Sequence, residues 1–317
     1  MDGLIGHTGF VGGTLMRQHD FGGRYNTSNI DQIAGVSFDT LVCAAAPGSM
    51  FEANRFPERD HARIDALIAR LDALGPVRHF VLVSTVAVLA GFVADDEDTA
   101  TFETETPYGV NRRRLELFAA ERFPGALIVR LPALFGPGLK KNFLFDLMNP
   151  MPSMVPPAAL GSLCEAAGAN LAPLVERLYP IDPEIGLHVI ERAALDASGQ
   201  RAELERAIVN AGLGALRFTH PESRFQFYEM RNLWRDIARG LEHGLDVLHL
   251  APPPLAAGDV YAALAGAPMP QNSARVHRED MRTRHAAPWG QQGPYIAAPD
   301  DVLQALRTFM AAERAAA

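Results

Sequence analysis

Continuous apolar segments alternate with amphipathic segments along the first half of the chain. Unbroken apolar strands are expected over residues 38–46, 79–85 and 126–131. Between them, apolar residues recur at helical spacing over residues 64–74, and a second helix is expected over 108–123. Strands that are apolar throughout are typical of a parallel sheet covered on both faces. The pattern therefore predicts a doubly wound α/β fold.

The alternation stops at a group of four prolines between residues 150 and 157. Leucines and alanines then follow helical spacing over residues 160–178 without an intervening strand, which predicts a small helical cap. The α/β pattern returns at residues 225–228, and a further strand is expected over 245–250. The sequence thus predicts a discontinuous first domain over 1–148 and 225–265, and a smaller, mainly helical cap over 149–224 and 266–317.

Composition restricts the class of protein only broadly. Of 317 residues, 48% are hydrophobic and 21% charged, which is ordinary for a globular chain. The net charge of −8 argues against nucleic acid as a standing partner, because phosphate binding relies on clustered basic residues. The two cysteines are too few for a disulfide framework, and neither a signal peptide nor an apolar run of membrane-spanning length is expected. We therefore expect a reducing, cytoplasmic setting and no membrane partner.

A glycine-rich turn follows the first short strand. Glycines at positions 6, 9 and 12 allow a tight turn, close approach of the backbone to a pyrophosphate, and close contact between helix and strand. The spacing alone is a weak signal. Its position between a strand and a helix, at the start of an α/β pattern, favours a Rossmann-type domain that binds NAD or NADP.

A second set of residues could exchange a proton with a substrate hydroxyl or carbonyl group while a nicotinamide cofactor exchanges hydride. Ser84 and Thr85 end one predicted strand, and Tyr108 and Arg112 lie four residues apart on one face of the next helix. A phenol with a pKa near 10 exchanges protons poorly near neutrality. A neighbouring cation is expected to lower the Tyr108 pKa, and a shift of about three units would correspond to roughly 4 kcal/mol.

The order and spacing of these motifs resemble the extended short-chain dehydrogenases/reductases, the group of nucleotide-sugar epimerases, dehydratases and reductases. The likeness covers most of the chain outside residues 151–223. It implies that Thr85 is the catalytic hydroxyl, Tyr108 the acid/base, and residue 112 a cation that also binds the nicotinamide ribose. The expected cofactor contacts are Gly6, Thr8, Gly9, Phe10, Val11, Gly12, Asn26, Ala44, Ala45, Ala46, Ser84, Tyr108, Arg112 and Leu131.

The chain departs from the family pattern at three places. Arg112 stands where the family has lysine; it keeps the charge but effectively cannot pass on a proton. Ala133 stands where the family often has an asparagine that holds the sugar diphosphate. The end of the second strand carries neither a clear acid for the NAD ribose nor a clear arginine for the NADP phosphate. Arg24 and nearby hydroxyl groups slightly favour NADP.

The resemblance implies a small-molecule substrate, an activated, nucleotide-linked sugar, which the predicted cap helps to bind. Thr85, Val86, Lys140, Asn142 and Arg224 are the expected substrate contacts. Reductase and epimerase chemistry both remain open. Dehydration is disfavoured because Val86-Ala87-Val88 follows Thr85 in place of an acidic pair.

An alternative interpretation is an NAD(P)-binding sensor or scaffold protein that has lost turnover, which the replacement of lysine at position 112 would permit. Other classes lack support. The ten histidines include no pair at metal-ligand helical spacing, so no metal site is expected, and no nucleophile-elbow motif indicates a serine hydrolase. Homodimers are common in the family, and this resemblance alone carries the expectation of a homodimer.

Overall fold

The chain divides into two compact units in the computed structural model, which describes residues 1–316. Unit 1 comprises Met1–Leu139, Arg224–Leu255 and the chain from Arg278 onward, and unit 2 comprises Lys140–Ser223 and Ala256–His277. The strands are β1 (Gly3–Ile5), β2 (Gly23–Tyr25), β3 (Phe38–Cys43), β4 (Val77–Thr85), β5 (Leu127–Leu131), β6 (Ala133–Phe135), β7 (Met154–Val155), β8 (Ile181–Asp182), β9 (Leu187–Val189), β10 (Arg224–Phe225), β11 (Phe227–Glu229), β12 (Val247–His249) and β13 (Leu255–Ala256).

Helices alternate with these strands through much of the chain. They are α1 (Phe10–Leu15), α2 (Met50–Arg55), α3 (Pro57–Asp72), α4 (Pro107–Arg122), α5 (Phe143–Met148), α6 (Pro157–Leu178), α7 (Arg192–Ala197), α8 (Arg201–Asn210), α9 (Leu233–Glu242), α10 (Ala257–Ala265) and α11 (Pro299–Ala316). Single 3-10 turns occur at Ile30–Ile33, Val86–Val88, Ala215–Phe218, Met230–Asn232 and Ala287–Trp289.

Unit 1 is built on a six-stranded parallel sheet with the strand order β12-β5-β4-β3-β1-β2. The predicted doubly wound, Rossmann-type α/β fold is confirmed. Because all six strands run in the same direction, the residues that end them meet at one edge of the sheet, where open α/β sheets bind their ligands.

Alternate residues of each strand enter two different cores. On β4, Phe80 and Leu82 pack in one core and Val81 and Val83 in the other. The first core contains the buried faces of α3 and α4, and the second contains residues of α1 and α9. Burial on both faces explains why these strands are apolar throughout rather than alternating.

The glycine turn between β1 and α1 depends on the absence of side chains at two positions. Gly6 has φ +90°, a conformation that residues with a Cβ rarely adopt, and a Cβ there would lie 2.5 Å from the Ala44 carbonyl oxygen. A Cβ at Gly12 would overlap the Gly6 carbonyl oxygen. The two glycines therefore let α1 pack directly against the end of β1.

Unit 2 has its own core, formed largely by α6, α7 and α8. It also contains a three-stranded antiparallel sheet with the order β7-β9-β8, which the sequence analysis did not predict. Strands of two or three residues are too short to show a period-two pattern.

One helix of the described chain, α6, has the length and apolar composition that a membrane-spanning helix needs. This corrects the expectation that no apolar segment approaches membrane-spanning length. The expectation treated the leucines of α6 as one helix face, but the alanines between them are also apolar. Length and composition are weak evidence, however, because a core helix passes the same test. Gly168 has non-helical backbone angles that divide α6, and Leu163, Leu171 and Val175 are buried in the core of unit 2.

The boundaries of the two units differ from the predicted domains. The sequence assigned residues 266–317 to the cap, but the chain from Arg278 onward belongs to unit 1, where Ile296 and Trp289 pack in the core beside α9. Unit 2 also begins earlier than expected, at Lys140. The first helix begins at Phe10, directly after the N-cap residue Gly9.

We expect Gly12→Ala to lower the free energy of unfolding by roughly 2–3 kcal/mol, because the new methyl group would force α1 away from β1. Gly13→Ala is the matched control, since its Cβ would meet nothing closer than 3.7 Å and alanine favours a helix. Urea unfolding measures both changes. Equal effects of the two substitutions would contradict the close contact at Gly12.

Burial of Asp146 on α5 makes unit 2 sensitive to pH. Burial raises the pKa of this carboxyl group from 3.8 to about 6, and Arg192 offsets part of the shift. The folded protein therefore holds the proton more tightly than the unfolded chain. As the pH rises from about 4 to about 6, ionisation of Asp146 lowers the free energy of unfolding.

Asp146→Asn removes that cost, so we expect it to raise the free energy of unfolding at pH 7.5 by about 3 kcal/mol. The gain should shrink as the pH falls to about 4, where the aspartate is protonated in the folded state and about half protonated in the unfolded chain, and should vanish below that pH. Urea unfolding across this range measures the difference. A gain that does not change with pH would show that ionisation of Asp146 is not its cause.

Candidate functional site

The glycine turn forms a backbone cradle at the carboxyl end of β1. The Gly6 N–H donates to the Tyr25 carbonyl at 2.8 Å, and the Gly9 N–H donates to the Gly6 carbonyl at 3.1 Å. No side chain caps the N-terminus of α1. Thr8 is exposed, and Phe10 and Val11 pack against the core beneath. Backbone packed this closely at Gly6 and Gly12, beside a helix N-terminus with no side-chain cap, fits the phosphates of a dinucleotide.

Other predicted cofactor contacts lie at neighbouring strand ends. Ala44, Ala45 and Ala46 follow β3 and are half-buried beside Gly6. Leu131 ends β5, but its side chain is buried in the core. Asn26 follows β2, and its side-chain oxygen accepts hydrogen bonds from the backbone N–H and the hydroxyl of Ser28.

Thr85, Tyr108 and Arg112, the three predicted catalytic residues, lie together in unit 1. The Thr85 hydroxyl lies near enough to the Tyr108 phenol to lower its pKa. The Thr85 hydroxyl also accepts from the Ala87 N–H at 3.2 Å, and the Tyr108 N–H donates to the Asn54 side-chain oxygen at 2.9 Å. The Arg112 guanidinium carbon lies 4.2 Å from the centre of the Tyr108 ring.

Arg112 is buried and already engaged. Its Nη1 donates to the Asp60 carboxylate and its Nη2 to the Pro47 carbonyl, while Nε is buried without a hydrogen-bond partner among the described residues. A ribose contact, as the resemblance implies for residue 112, would have to compete with these partners. That role stays a prediction.

Sequence reasoning missed Asp60, although the chain carried a signal for it. Asp60 shares the buried face of α3 with Ile64, Leu67 and Leu71. A carboxylate on an otherwise apolar helix face requires a partner, because unpaired charges are rarely buried.

The expected net lowering of the Tyr108 pKa is not found in this structure. Burial raises the pKa of this phenol, and the charge of Asp60 raises it further. Arg112 and the Thr85 hydroxyl lower the pKa, but by less than burial raises it. The expectation counted positive charge near the phenol, from the cation and from the nicotinamide ring of a bound cofactor, and omitted both the desolvation and the counter-charge.

A row of buried polar residues crosses three adjacent strands next to this group. Ser84, Arg130 and His249 are neighbours in register on β4, β5 and β12. Glu116 of α4 covers the row: its carboxylate accepts from the Ser84 hydroxyl at 2.6 Å and from Arg130 Nε and Nη2 at 3.0 and 2.8 Å. Ser84, a predicted cofactor contact, is thus bonded to α4.

His249 closes the other end of the row. Its Nδ1 lies 2.9 Å from the Arg282 carbonyl and therefore donates, which leaves Nε2 to accept from Arg130 Nη1 at 3.1 Å. Burial lowers the pKa of His249, and Arg130 adds to this effect while Glu97 opposes it. The neutral imidazole completes the set of partners for Arg130.

The predicted substrate residues are dispersed. Val86 is buried directly after β4, and Arg224 is exposed at the start of β10. Lys140 and Asn142 belong to unit 2, where the Asn142 side chain caps α5 by accepting from the N–H groups of Leu144 and Phe145. Among residues 1–316, no group of three His, Cys, Asp or Glu side chains is arranged to hold a metal ion.

Comparison with known proteins defines the fold class but not the family. No protein-family model matches the chain, and no curated protein sequence matches it either. Many solved structures do match along nearly their whole length, at sequence identities that show the fold alone. The chain shares the fold of nucleotide-sugar epimerases, reductases and dehydratases that carry a Rossmann-type sheet.

Three of these structures illustrate the likeness. MoeE5 in complex with UDP-glucuronic acid and NAD has a TM-score of 0.61 and 14% identity, covering 100% of this chain and 99% of that one. UDP-glucose 4-epimerase from Thermotoga maritima with UDP-glucose has a TM-score of 0.59, 12% identity and coverage of 100% and 99%. RMD from Pseudomonas aeruginosa complexed with NADPH has a TM-score of 0.57, 16% identity and coverage of 98% and 97%.

We expect Glu116→Gln to lower the free energy of unfolding by about 3–5 kcal/mol, because it leaves the buried Arg130 cation without its anionic partner. Glu121→Gln on the same helix is the control, since Glu121 is exposed and should tolerate the change. Urea unfolding measures both variants. A Glu116→Gln protein as stable as the control would show that the ion pair does not hold α4 to the sheet.

Proposed function

We propose that the chain is an NAD(P)-dependent oxidoreductase or epimerase that acts on a hydroxyl or keto group of a nucleotide-linked sugar. The observation that carries the proposal is the pair of Thr85 and Tyr108, in which the Thr85 hydroxyl lies near the phenol and the Arg112 cation lies over the phenol ring. The pair lies at the same edge of a parallel sheet as the glycine cradle. Structures of the same fold bind UDP-glucose, UDP-glucuronic acid, NAD and NADPH, which supports this substrate and cofactor class.

The residues of the cradle would hold the dinucleotide. Gly6, Gly9 and Gly12 would receive the pyrophosphate, and Ala44–46 would border the cofactor beyond it. A bound nicotinamide would supply hydride to a carbonyl carbon, or accept it from a carbinol carbon. We propose NADP over NAD, because the strand end at Tyr25 carries no acid to bind a ribose 2′-hydroxyl.

Tyr108 and Thr85 would handle the proton. In the reducing direction, Tyr108 donates its hydroxyl proton to the substrate oxygen while the Thr85 hydroxyl polarises the same oxygen. In the oxidising direction, the phenolate accepts the proton of the carbinol. The buried Arg112 cation contacts the ring face and stabilises the phenolate formed after donation.

A second candidate is an NAD(P)-binding protein that does not turn over. The observation that favours it is the engagement of Arg112 by Asp60 and the Pro47 carbonyl, with which a ribose hydroxyl would have to compete. The two candidates share cofactor binding and differ in chemistry. A direct assay therefore separates them.

The assay incubates the purified protein with UDP-, dTDP- and GDP-linked sugars and either NAD(H) or NADP(H). Near-ultraviolet absorbance follows NAD(P)H, and chromatography of the sugar products detects epimerisation, which leaves the cofactor unchanged overall. Conversion of at least one substrate supports the enzyme. Tight cofactor binding without conversion anywhere in the panel would instead favour the second candidate.

We expect Tyr108→Phe to reduce kcat at least about 100-fold, because the variant lacks the proton donor. Its dissociation constant for the cofactor, measured by nicotinamide fluorescence, should change little. Tyr261→Phe in unit 2 is the matched control and should keep full activity. An unchanged kcat in Tyr108→Phe would disprove the mechanism.

A further inference from the structure

Asp60 is a buried acid that the proposed chemistry does not use directly. It lies in the first turn of α3 with a side chain only 3% exposed. Its Oδ2 accepts from the Arg112 guanidinium and, at 2.8 Å, from the side-chain amide of Asn111. The acid is therefore bonded to α4 at two consecutive residues, one turn after Tyr108.

These contacts determine where the Arg112 charge lies. Asp60 holds Nη1 and the Pro47 carbonyl holds Nη2, so the guanidinium is fixed at both ends. Between these partners the guanidinium stacks on the Tyr108 ring, with its carbon 4.2 Å from the ring centre. The cation thus contacts the face of the ring, while the tyrosine hydroxyl lies near the Thr85 hydroxyl.

We infer that Asp60 is a positioning residue that fixes Arg112 against the Tyr108 ring and offsets its charge, so that Tyr108 keeps a protonated hydroxyl beside Thr85. The inference rests on the proposed role of Tyr108. It deepens that role by favouring the reducing direction, in which a protonated tyrosine is the species required.

Three side chains around the Tyr108 phenol affect its ionisation, and they lie on three different elements. Arg112 on α4 and the Thr85 hydroxyl on β4 favour the phenolate, and Asp60 on α3 opposes it. Asn54 on α2 binds the Tyr108 backbone and carries no charge. Removing the Asp60 charge therefore leaves the Arg112 cation uncompensated beside the ring.

The experiment titrates Tyr108 in the cofactor-free protein by phenolate absorbance. The chain has six tyrosines, so each spectrum is corrected with the same variant carrying Tyr108→Phe. We expect Asp60→Asn, which keeps the shape and loses the charge, to lower the pKa of Tyr108 by about one unit. In an active preparation, the pH above which the reduction rate falls should move down equally.

Asp65→Asn is the matched control. Asp65 lies on the same helix but is partly exposed and pairs with Arg114 and His61 rather than with Arg112. Its removal should leave the Tyr108 titration unchanged. The inference is overturned if Asp60→Asn and Asp65→Asn give the same Tyr108 pKa as the parent protein.

A second pair of variants serves if Asp60→Asn does not fold. Arg112→Met leaves Asp60 as the uncompensated charge, and the double variant Asp60→Leu/Arg112→Met replaces the buried ion pair with apolar groups. The Tyr108 pKa should be higher in Arg112→Met than in the double variant, and equal values would overturn the inference. Because the titration needs no turnover, a protein inactive towards every sugar would contradict the proposed function and leave this result standing.

Discussion

The buried ion pair between Glu116 and Arg130 is the contact on which the candidate site depends. It joins α4 to β5 by two hydrogen bonds, and Ser84 adds a third from β4. Tyr108, Arg112 and Glu116 follow one another at intervals of four residues, so the anchor that fixes Glu116 also sets the rotation of the helix face carrying Tyr108. Burying two charges costs desolvation, which the complete set of partners offsets.

Asp60 and Arg112 form a second ion pair on the same helix face, one turn earlier. Both pairs join an acid and an arginine that are almost fully buried, and both attach α4 to a neighbouring element. Arginine retains its proton in nearly any environment, so an arginine buried here requires a fixed anion. Position 112 therefore has to be interpreted together with position 60, and neither residue alone explains how Tyr108 is held.

The sheet and the main motifs were predictable because their signals are local. Strands apolar on both faces, helices with one apolar stripe and glycines at 6, 9 and 12 can each be recognised within a short segment. Glu116 and His249 were missed because their partners lie 14 and 119 residues away along the chain. The assignment of α11 failed for a related reason: an amphipathic helix does not reveal which core covers it.

Structures of the same fold share only 12–16% identity with this chain. Such low identity is consistent with a fold that depends on local apolar patterns more than on particular polar contacts. The fold requires apolar character at sheet positions, which many residues satisfy, whereas the polar contacts require particular pairs. A chain can thus keep the six-stranded sheet while replacing the polar partners that surround its tyrosine. The two buried ion pairs are such partners, and their members are distributed over α3, α4 and β5.

The turn after β2 can change without affecting how β2 pairs in the sheet. Residues 26–29 are joined by hydrogen bonds within the turn. Asn26 Oδ1 accepts from Ser28, and the Asn26 N–H donates to Asn29 Oδ1 at 2.8 Å. The turn follows the edge strand of the sheet and contributes no residue to strand pairing. Exchange of these four residues would therefore leave the sheet register intact, so the proposed choice between NAD and NADP is separable from the folding of the sheet.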